Sequence, residues 1–369
     1  MSDPMNPTTR AQQVTTATTS QPASHPESHT ESEVGSTPPH SAALLQMITG
    51  YWVSQAIYVA AKLGIADLLA EGPRSAEELA AATETHADAL YRVLRALASV
   101  GIFSEVSPSR FALTSLADLL RSGAPNSLRA FAIVCGEELY RVWAEALSSV
   151  RTGESAFERV LGVNAFGYFA QNPTFGEVFN EAMVGFTSQI AQAITTAYDF
   201  SPFGTVADIG GGHGALLAAI LRSTPVAQGI LFDLPHVVAG AEPFLSAAGV
   251  ADRCTRVGGD FFAEIPSGAD AYVLAQILHD WDDERSAAIL RQVRQAMSDR
   301  ARLLVVELNV PEGDEPAFGK WMDLNMLVLL NGRERTAAQY AQLFQAAGLK
   351  LVRAIPTSTG QSIVEAIPV

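Results

Sequence analysis

Hydrophobic and polar positions change rhythm several times along this chain. Residues 1–40 hold no apolar run and are rich in Ser, Thr, Pro, Gln and His. Such a stretch buries too little surface to offset the entropy of ordering, so the pattern predicts a disordered tail. The next segment, "SAALLQMITGYWVSQAIYVAAKLGIADLLAEG", is apolar over a length worth testing as a membrane span. Gln46, Thr49, Ser54, Gln55 and Lys62 interrupt it at spacings that leave one less apolar side. That predicts a pair of heavily buried soluble helices and no membrane partner.

Further on, "SAEELAAATETHADALYRVLRALASVGIFSE" opens with Ser75 and Glu78 at capping-box spacing and stops at Gly101, with two helices flanking "TETHAD". "IFSEVSPSRFALTS" alternates like a hairpin wing, and "LADLLRSG" returns to helix. Residues 41–124 therefore read as a winged-helix-like module. A DNA-binding regulator and a subunit-contact domain share that pattern. The presumed recognition helix "HADALYRVLRALAS" offers only Arg92 and Arg95 as bases, and its apolar positions leave little face for a groove. Subunit contact is the better reading.

Residues 125–200 are helical and aromatic-rich, with a Phe and Met stripe expected to form core and to line a pocket. From 201 to 369 the rhythm becomes strand, turn, helix, repeated. "TVADIGGGHGALLAAILRS", "QGILFDLPHVVAGAEPFLSAAG", "CTRVGGDFF", "ADAYVLAQILHDWDDERSAAILRQVRQAM" and "ARLLVVELNVPE" follow in order. This alternation predicts an α/β fold with a doubly wound, mostly parallel sheet. The last helix and two strands predict an antiparallel edge on it.

Composition narrows the function. The 369 residues, 48% hydrophobic and 17% charged, suffice for two or three domains with a large core. A formal net charge of −15 argues against nucleic acid, which needs a basic footprint. Cys135 and Cys254 form neither metal spacing nor a disulfide framework, and no apolar leader follows Met1, so a cytoplasmic location is expected.

Chemistry concentrates at the strand ends. "VADIGGGHG" puts Gly210 and Gly212 after a buried strand and before a helix, where the backbone can turn tightly against a ligand. Alone, such a turn suits a dinucleotide, a phosphate or S-adenosylmethionine, or is merely a tight turn. Asp233 ends the next strand, where an acid suits ribose hydroxyls, and Leu234 follows it. Asp260 follows the third strand and can accept from an adenine amino group, with Phe261 against the ring. His279 and Glu307 occupy equivalent ends further along. Ligands bind beyond the carboxyl ends of such strands, so four polar residues on one edge predict a site. The blander reading of His279 is a side chain bonded only to backbone. His213 reads as a variable position within the glycine turn, and His236, after Pro235, as a cap for the following helix. Asp282 or Asp283 is expected to cap the helix "ERSAAILRQVRQAM".

With "DIGGGHG", "FDLP", "GGDFF", "LHDWDDE", "MDLNML" and "GRERT" in that order, the chain resembles the S-adenosylmethionine-dependent O-methyltransferases of the plant phenolic and bacterial natural-product type from about residue 41 to the end. The resemblance implies a Rossmann-like catalytic domain behind a winged-helix-like dimerisation domain, a homodimer, and metal-independent methyl transfer to a hydroxyl of a small acceptor. It assigns His279 as general base and Glu307 and Glu334 as flanking acids. Gly210, Gly212, Asp233, Leu234, Asp260, Phe261, Gln276, Trp281 and Thr187 fall at cofactor positions. Phe179, Met183 and Met326 fall at pocket-lining positions; Met322 is expected beside them, and Asp280 is expected to contact the acceptor or to orient the loop. Gln276 replaces a lysine common in plant members, and Phe186 replaces a polar residue of some plant acceptor pockets.

A neutral phenol is a poor nucleophile and must lose its proton. An imidazole at its ordinary pKa of ~6.5 is neutral enough at pH 7 to take it, against a gap of ~3.5 units to the phenol, or about 5 kcal/mol. Either glutamate would fix the imidazole tautomer. The sequence leaves three rivals open. One is the same scaffold and cofactor turned to hydroxylation or decarboxylation. Another is a nicotinamide dehydrogenase, although Ala215 breaks the Gly-x-Gly-x-x-Gly spacing. The third is a winged-helix regulator.

Overall fold

The computed structural model describes residues 40–369 except 125 and 309, so the tail expected at 1–40 lies outside it but for His40. The chain divides into two compact units. Of the first, the helix α1 (His40–Ile48) is described, with no buried residue of its own.

The second unit begins with α2 (Gly50–Lys62), α3 (Ile65–Leu68), β1 (Arg74–Ser75), α4 (Ala76–Thr83), α5 (Ala87–Ser99), the hairpin β2 (Phe103–Ser107) and β3 (Arg110–Leu113), and α6 (Ser115–Asp118). The Ser75–Glu78 capping box forms in both directions at the start of α4. Leu90, Leu94 and Leu97 of α5 recur at helical spacing and pack against Phe103 and Phe111 of the wing. The winged-helix pattern read from the sequence is therefore present.

Helices α7 (Arg129–Gly136), α8 (Glu138–Trp143), α9 (Ala146–Thr152), α10 (Phe157–Leu161), α11 (Ala165–Gln171) and α12 (Pro173–Ala197) follow. Pro173 starts α12 at the first helical position, where its missing N–H costs nothing.

A seven-stranded sheet makes up the rest. Its order is β6 (Cys254–Gly258), β5 (Gln228–Asp233), β4 (Thr205–Ile209), β7 (Ala271–Ala275), β8 (Arg302–Leu308), β10 (Gln361–Pro368), β9 (Leu349–Pro356). The first five are parallel and β10 runs antiparallel to both neighbours. Connecting helices are α13 (Ala215–Ser223), α14 (Pro235–Val238), α15 (Glu242–Ala247), α16 (Asp283–Ala296), α17 (Phe318–Leu330) and α18 (Ala337–Ala346). Successive residues of one strand face opposite sides. Tyr272, Leu274, Leu303 and Val305 meet α16 and α18, whereas Ala271, Val273, Leu304 and Val306 meet α12 and α13. Both faces are covered, which is why these strands read as unbroken apolar runs. No described helix is long and apolar enough to cross a membrane.

The strand order reverses beside β4, where β5 lies on one side and β7 on the other. The loops after β4, β5, β6 and β7 therefore share one rim. That rim carries Gly210, Asp233, Asp260 and the turn 276–283.

Candidate active site

The glycine turn is built as a cradle. Gly210 and Gly212 both have positive φ. A Cβ on Gly210 would collide with Ile277, while at Gly212 open space stands where a side chain would project. Asp233 Oδ2 accepts from the Gly212 N–H at 2.8 Å and Oδ1 from the Leu234 N–H at 2.6 Å. This carboxylate thus ties the first turn to the second, and burial raises its pKa. Beneath the turn Asp208 is fully buried; burial and then the neighbouring Asp233 charge raise it to about 7. Asp260 Oδ1 accepts from the Phe262 N–H and so shapes the third loop.

An aromatic wall closes this end. Phe261 and Phe262 stand edge-on to Trp281, Phe166 of α11 stacks on Trp281 at 5.5 Å and 14°, and Arg285 lies 5.1 Å from its centroid. A cavity lined by Phe166, Trp281, Arg285, Leu330 and Asn331 opens beside it. Gln276, held at φ +59°, places a buried side-chain amide nitrogen, and Trp281 a buried indole N–H, without a partner among the described residues. Buried donors of this kind want an acceptor. Glycines that leave room for a ligand, carboxylates with lone pairs to spare, an aromatic wall and two orphan donors fit a nucleoside.

His279 sits in the 3-10 turn Leu278–Asp280 just after β7, and 6% of it is exposed. Its Nδ1 lies 2.7 Å from Glu334 Oε1 and 3.3 Å from Glu307 Oε2, and its Nε2 lies 3.4 Å from Asp280 Oδ1. Glu307 projects from β8, and its Oε1 accepts the backbone N–H groups of Ile277, Leu278 and His279. Glu334 comes from the loop after α17, where its own N–H donates to Asp323 Oδ1. Gly332 in that loop is packed against the His279 carbonyl so closely that a Cβ could not fit, and the Arg333 N–H donates to the same carbonyl at 2.8 Å.

The expectation of an imidazole near its ordinary pKa does not hold. Burial alone pulls His279 down, but Glu307, Asp280 and Glu334 outweigh it and raise it to about 10. Burial lifts Glu307 to about 8 against the pull of His279, and lifts Asp280 to about 6. One cationic ring among three carboxylates fixes the direction. Ligand atoms of His279, Glu307 and Glu334 lie within 4.8 Å of one another, a spacing that suits a shared proton or a cation.

Phe179, Met183 and Thr187 recur every fourth residue along α12 and share one stripe. Phe179 stacks on Phe169 at 4.3 Å, and Phe169 stands edge-on to Phe166, so aromatic contacts run from α12 to the Trp281 wall. Phe186 stacks on Phe131. Met322 and Met326 lie on α17, with Met326 buried. Between them Asn325 accepts from the Trp143 indole N–H at 2.7 Å. No described hydrogen bond or ring contact joins Thr187 to the His279 turn. Asp282 is the cap of α16 at 2.8 Å to the Arg285 N–H, while Asp283 pairs with Arg335. His236 does not cap a helix: it lies inside α14, whose N-cap is Leu234, because Pro235 already starts that helix. His213 packs against Gly240 and is electrostatically coupled to Asp233.

Sequence reasoning passed over Gly332, Arg335 and Phe166. The first two lie in "GRERT", where only Glu334 was given a role. Phe166 lies in an aromatic run that reads as core.

Residues 143–350 match a family model described as an O-methyltransferase domain, and residues 45–123 match an O-methyltransferase dimerisation domain. A phenazine O-methyltransferase of Lysobacter antibioticus is 58% identical over 331 residues, covering 90% of this chain and 97% of that protein. The crystal structure of LaPhzM superposes with a TM-score of 0.88 at 58% identity, covering 90% of this chain and 100% of that one. The crystal structure of an O-methyltransferase from neocarzinostatin biosynthesis, in complex with S-adenosylmethionine and 2-hydroxy-5-methyl naphthoic acid, has a TM-score of 0.74 at 33% identity. It covers 86% of this chain and 96% of that one.

The buried Asp208 gives a pH-dependent stability. Its folded pKa is raised from 3.8 to about 7, so its contribution is fully present below pH 4 and is lost as pH rises through 7. Asp208→Asn keeps the shape without the charge. Thermal melting should show a larger gain over wild type at pH 8 than at pH 5, and equal shifts would contradict the account.

Proposed function

The chain belongs to the O-methyltransferase family, and from that premise we propose that it transfers a methyl group from S-adenosylmethionine to a hydroxyl of a small aromatic or polyketide-type natural product, with His279 as general base. The observation that carries this reading is the imidazole clamped at Nδ1 by Glu334, its Nε2 at the same rim as the glycine cradle. The domain plan proposed is a tail at 1–40, a dimerisation module at 41–124, pocket-lining helices at 125–200 and a catalytic domain at 201–369, assembled as a homodimer.

The cofactor, when bound, supplies a methyl group on a cationic sulfur. The chain's residues do the rest. Asp233 and Leu234 would hold ribose hydroxyls, and Asp260 with Phe261 and Trp281 the adenine. Gly210 and Gly212 leave room for the backbone to approach, Gln276 offers its amide, and Thr187 stands by the methionine end. Phe179, Met183, Met322 and Met326 would present the flat acceptor to His279, with Asp280 beside its hydroxyl.

At Nε2 the imidazole takes the acceptor's proton, while Nδ1–H stays on Glu334, which stabilises the imidazolium that forms. A phenol has a pKa of ~10, so transfer of its proton to a ring raised to about 10 is nearly balanced once that ring is neutral, and the cost at neutral pH moves to the earlier loss of the ring's own proton. Holding both reactants at one rim supplies much of the remaining acceleration, up to ~7–11 kcal/mol in well-oriented systems. The apolar lining favours a planar guest.

A panel of phenols, enols and amines incubated with isotopically labelled donor and read by mass spectrometry tests the reading. A methyl ether formed with S-adenosylhomocysteine supports it. Oxygen-dependent turnover without that by-product sinks it.

His279→Gln should cut turnover at least ~100-fold while donor affinity barely moves, and wild-type rates in that variant would remove the general-base assignment. Asp233→Ala should weaken calorimetric affinity for S-adenosylhomocysteine through lost ribose and turn contacts; unchanged affinity would displace the nucleoside from this rim. Because a base must be deprotonated to act, kcat/KM should climb with pH between the Glu307 and His279 values of about 8 and about 10. A plateau already complete at pH 7 would contradict the raised imidazole.

A further inference from the structure

Arg335 is among the largest fully buried side chains, and arginine is almost never buried without a purpose for each donor. Its guanidinium carries five N–H groups in a rigid planar fork. Nε donates to Asp283 Oδ1 at 3.0 Å. Nη1 donates to the carbonyls of Leu278 at 2.8 Å and Arg333 at 3.3 Å. Nη2 donates to the Trp281 carbonyl at 2.8 Å and to Ser286 Oγ at 3.1 Å. Leu278 and Trp281 bracket His279, so one flat group holds the backbone on both sides of the imidazole. Ser286 Oγ donates to the same Leu278 carbonyl at 3.1 Å, which braces the turn against α16.

We propose that Arg335 is a positioning residue for the reaction: it sets the place of the His279 ring and of the Trp281 wall without touching acceptor or donor. The inference rests on the general-base reading above. Residues 334 and 335 then divide the work. Glu334 selects which ring nitrogen carries the proton, and Arg335 fixes where the ring stands. Lysine cannot substitute, since three donors on a single point cannot span carbonyls on two sides of a turn. Glutamine in its place leaves the Leu278 and Trp281 carbonyls without that donor.

The test uses the full-length protein, S-adenosylmethionine and the best acceptor of the panel. Arg335→Gln, checked for folding by circular dichroism, should lose about 100-fold in kcat with acceptor KM changed by no more than about threefold. The acid limb of its pH profile should move, and amides of residues 277–284 should exchange faster by mass spectrometry. Arg335→Lys should fall between wild type and Arg335→Gln. In the His279→Gln background, Arg335→Gln should cost far less than in wild type, leaving only the part that acts through the Trp281 wall. Should Arg335→Gln fail to fold, Ser286→Ala removes a brace of the same turn and should cost about 3–10-fold in kcat with the limb displaced.

Wild-type kcat and an unmoved limb in the folded variants would overturn the proposal, as would a loss in the double variant as large as the one in the wild-type background. If His279→Gln instead keeps wild-type rates, the base assignment falls. Amide exchange over 277–284 then decides separately whether Arg335 holds the turn, and unchanged exchange would overturn that too.

Discussion

The contact on which the site depends is that between the loop Gly332–Arg335 and the turn Leu278–Asp283. Gly332 admits the His279 carbonyl, Arg333 donates to it, Glu334 meets Nδ1, and Arg335 takes the carbonyls on either side. The first segment lies in no helix or strand, and the second is a 3-10 turn that leads into α16. Each is shaped by the other, and both hang from the sheet: one directly after β7, the other between α17 and α18. Backbone polar groups of buried loops must be paired, and here each loop supplies the other's partners.

That arrangement explains how a histidine and three carboxylates can share so little space. Burying such a cluster is costly unless every charge is paired and hydrogen-bonded. Glu307 offsets its burial by accepting three backbone N–H groups, and Arg335 adds a full positive charge nearby. The three carboxylates around it make the ring a stronger base than a solvated histidine.

Much of this was legible in the sequence. Glycines after a buried strand, acids at successive strand ends and the Ser75–Glu78 spacing each follow from local chemistry, and the structure places them so. The cap Asp282 was legible for the same reason, being set by four neighbouring residues. The raised imidazole was not, because Glu307 and Glu334 stand 28 and 55 residues from His279 and only the fold brings them to one nitrogen. Arg335 was hidden for the opposite reason: arginines are usually solvated, and nothing local says that two carbonyls more than fifty residues upstream await its fork. His236 was misread because Pro235 starts its helix two residues earlier than a capping histidine would require.

The antiparallel strand β10 carries a consequence for how the enzyme comes into being. It pairs with β8 along Gln361–Ala366, opposite Leu308–Leu303, and Ser362 faces Glu307 across the ladder. During synthesis β8 emerges from the ribosome long before β10 does. Through that interval the strand bearing Glu307 presents an open hydrogen-bonding edge, sticky toward other chains. The inner place between β8 and β9 is filled only by residues 361–368, the last strand of the sheet to be made.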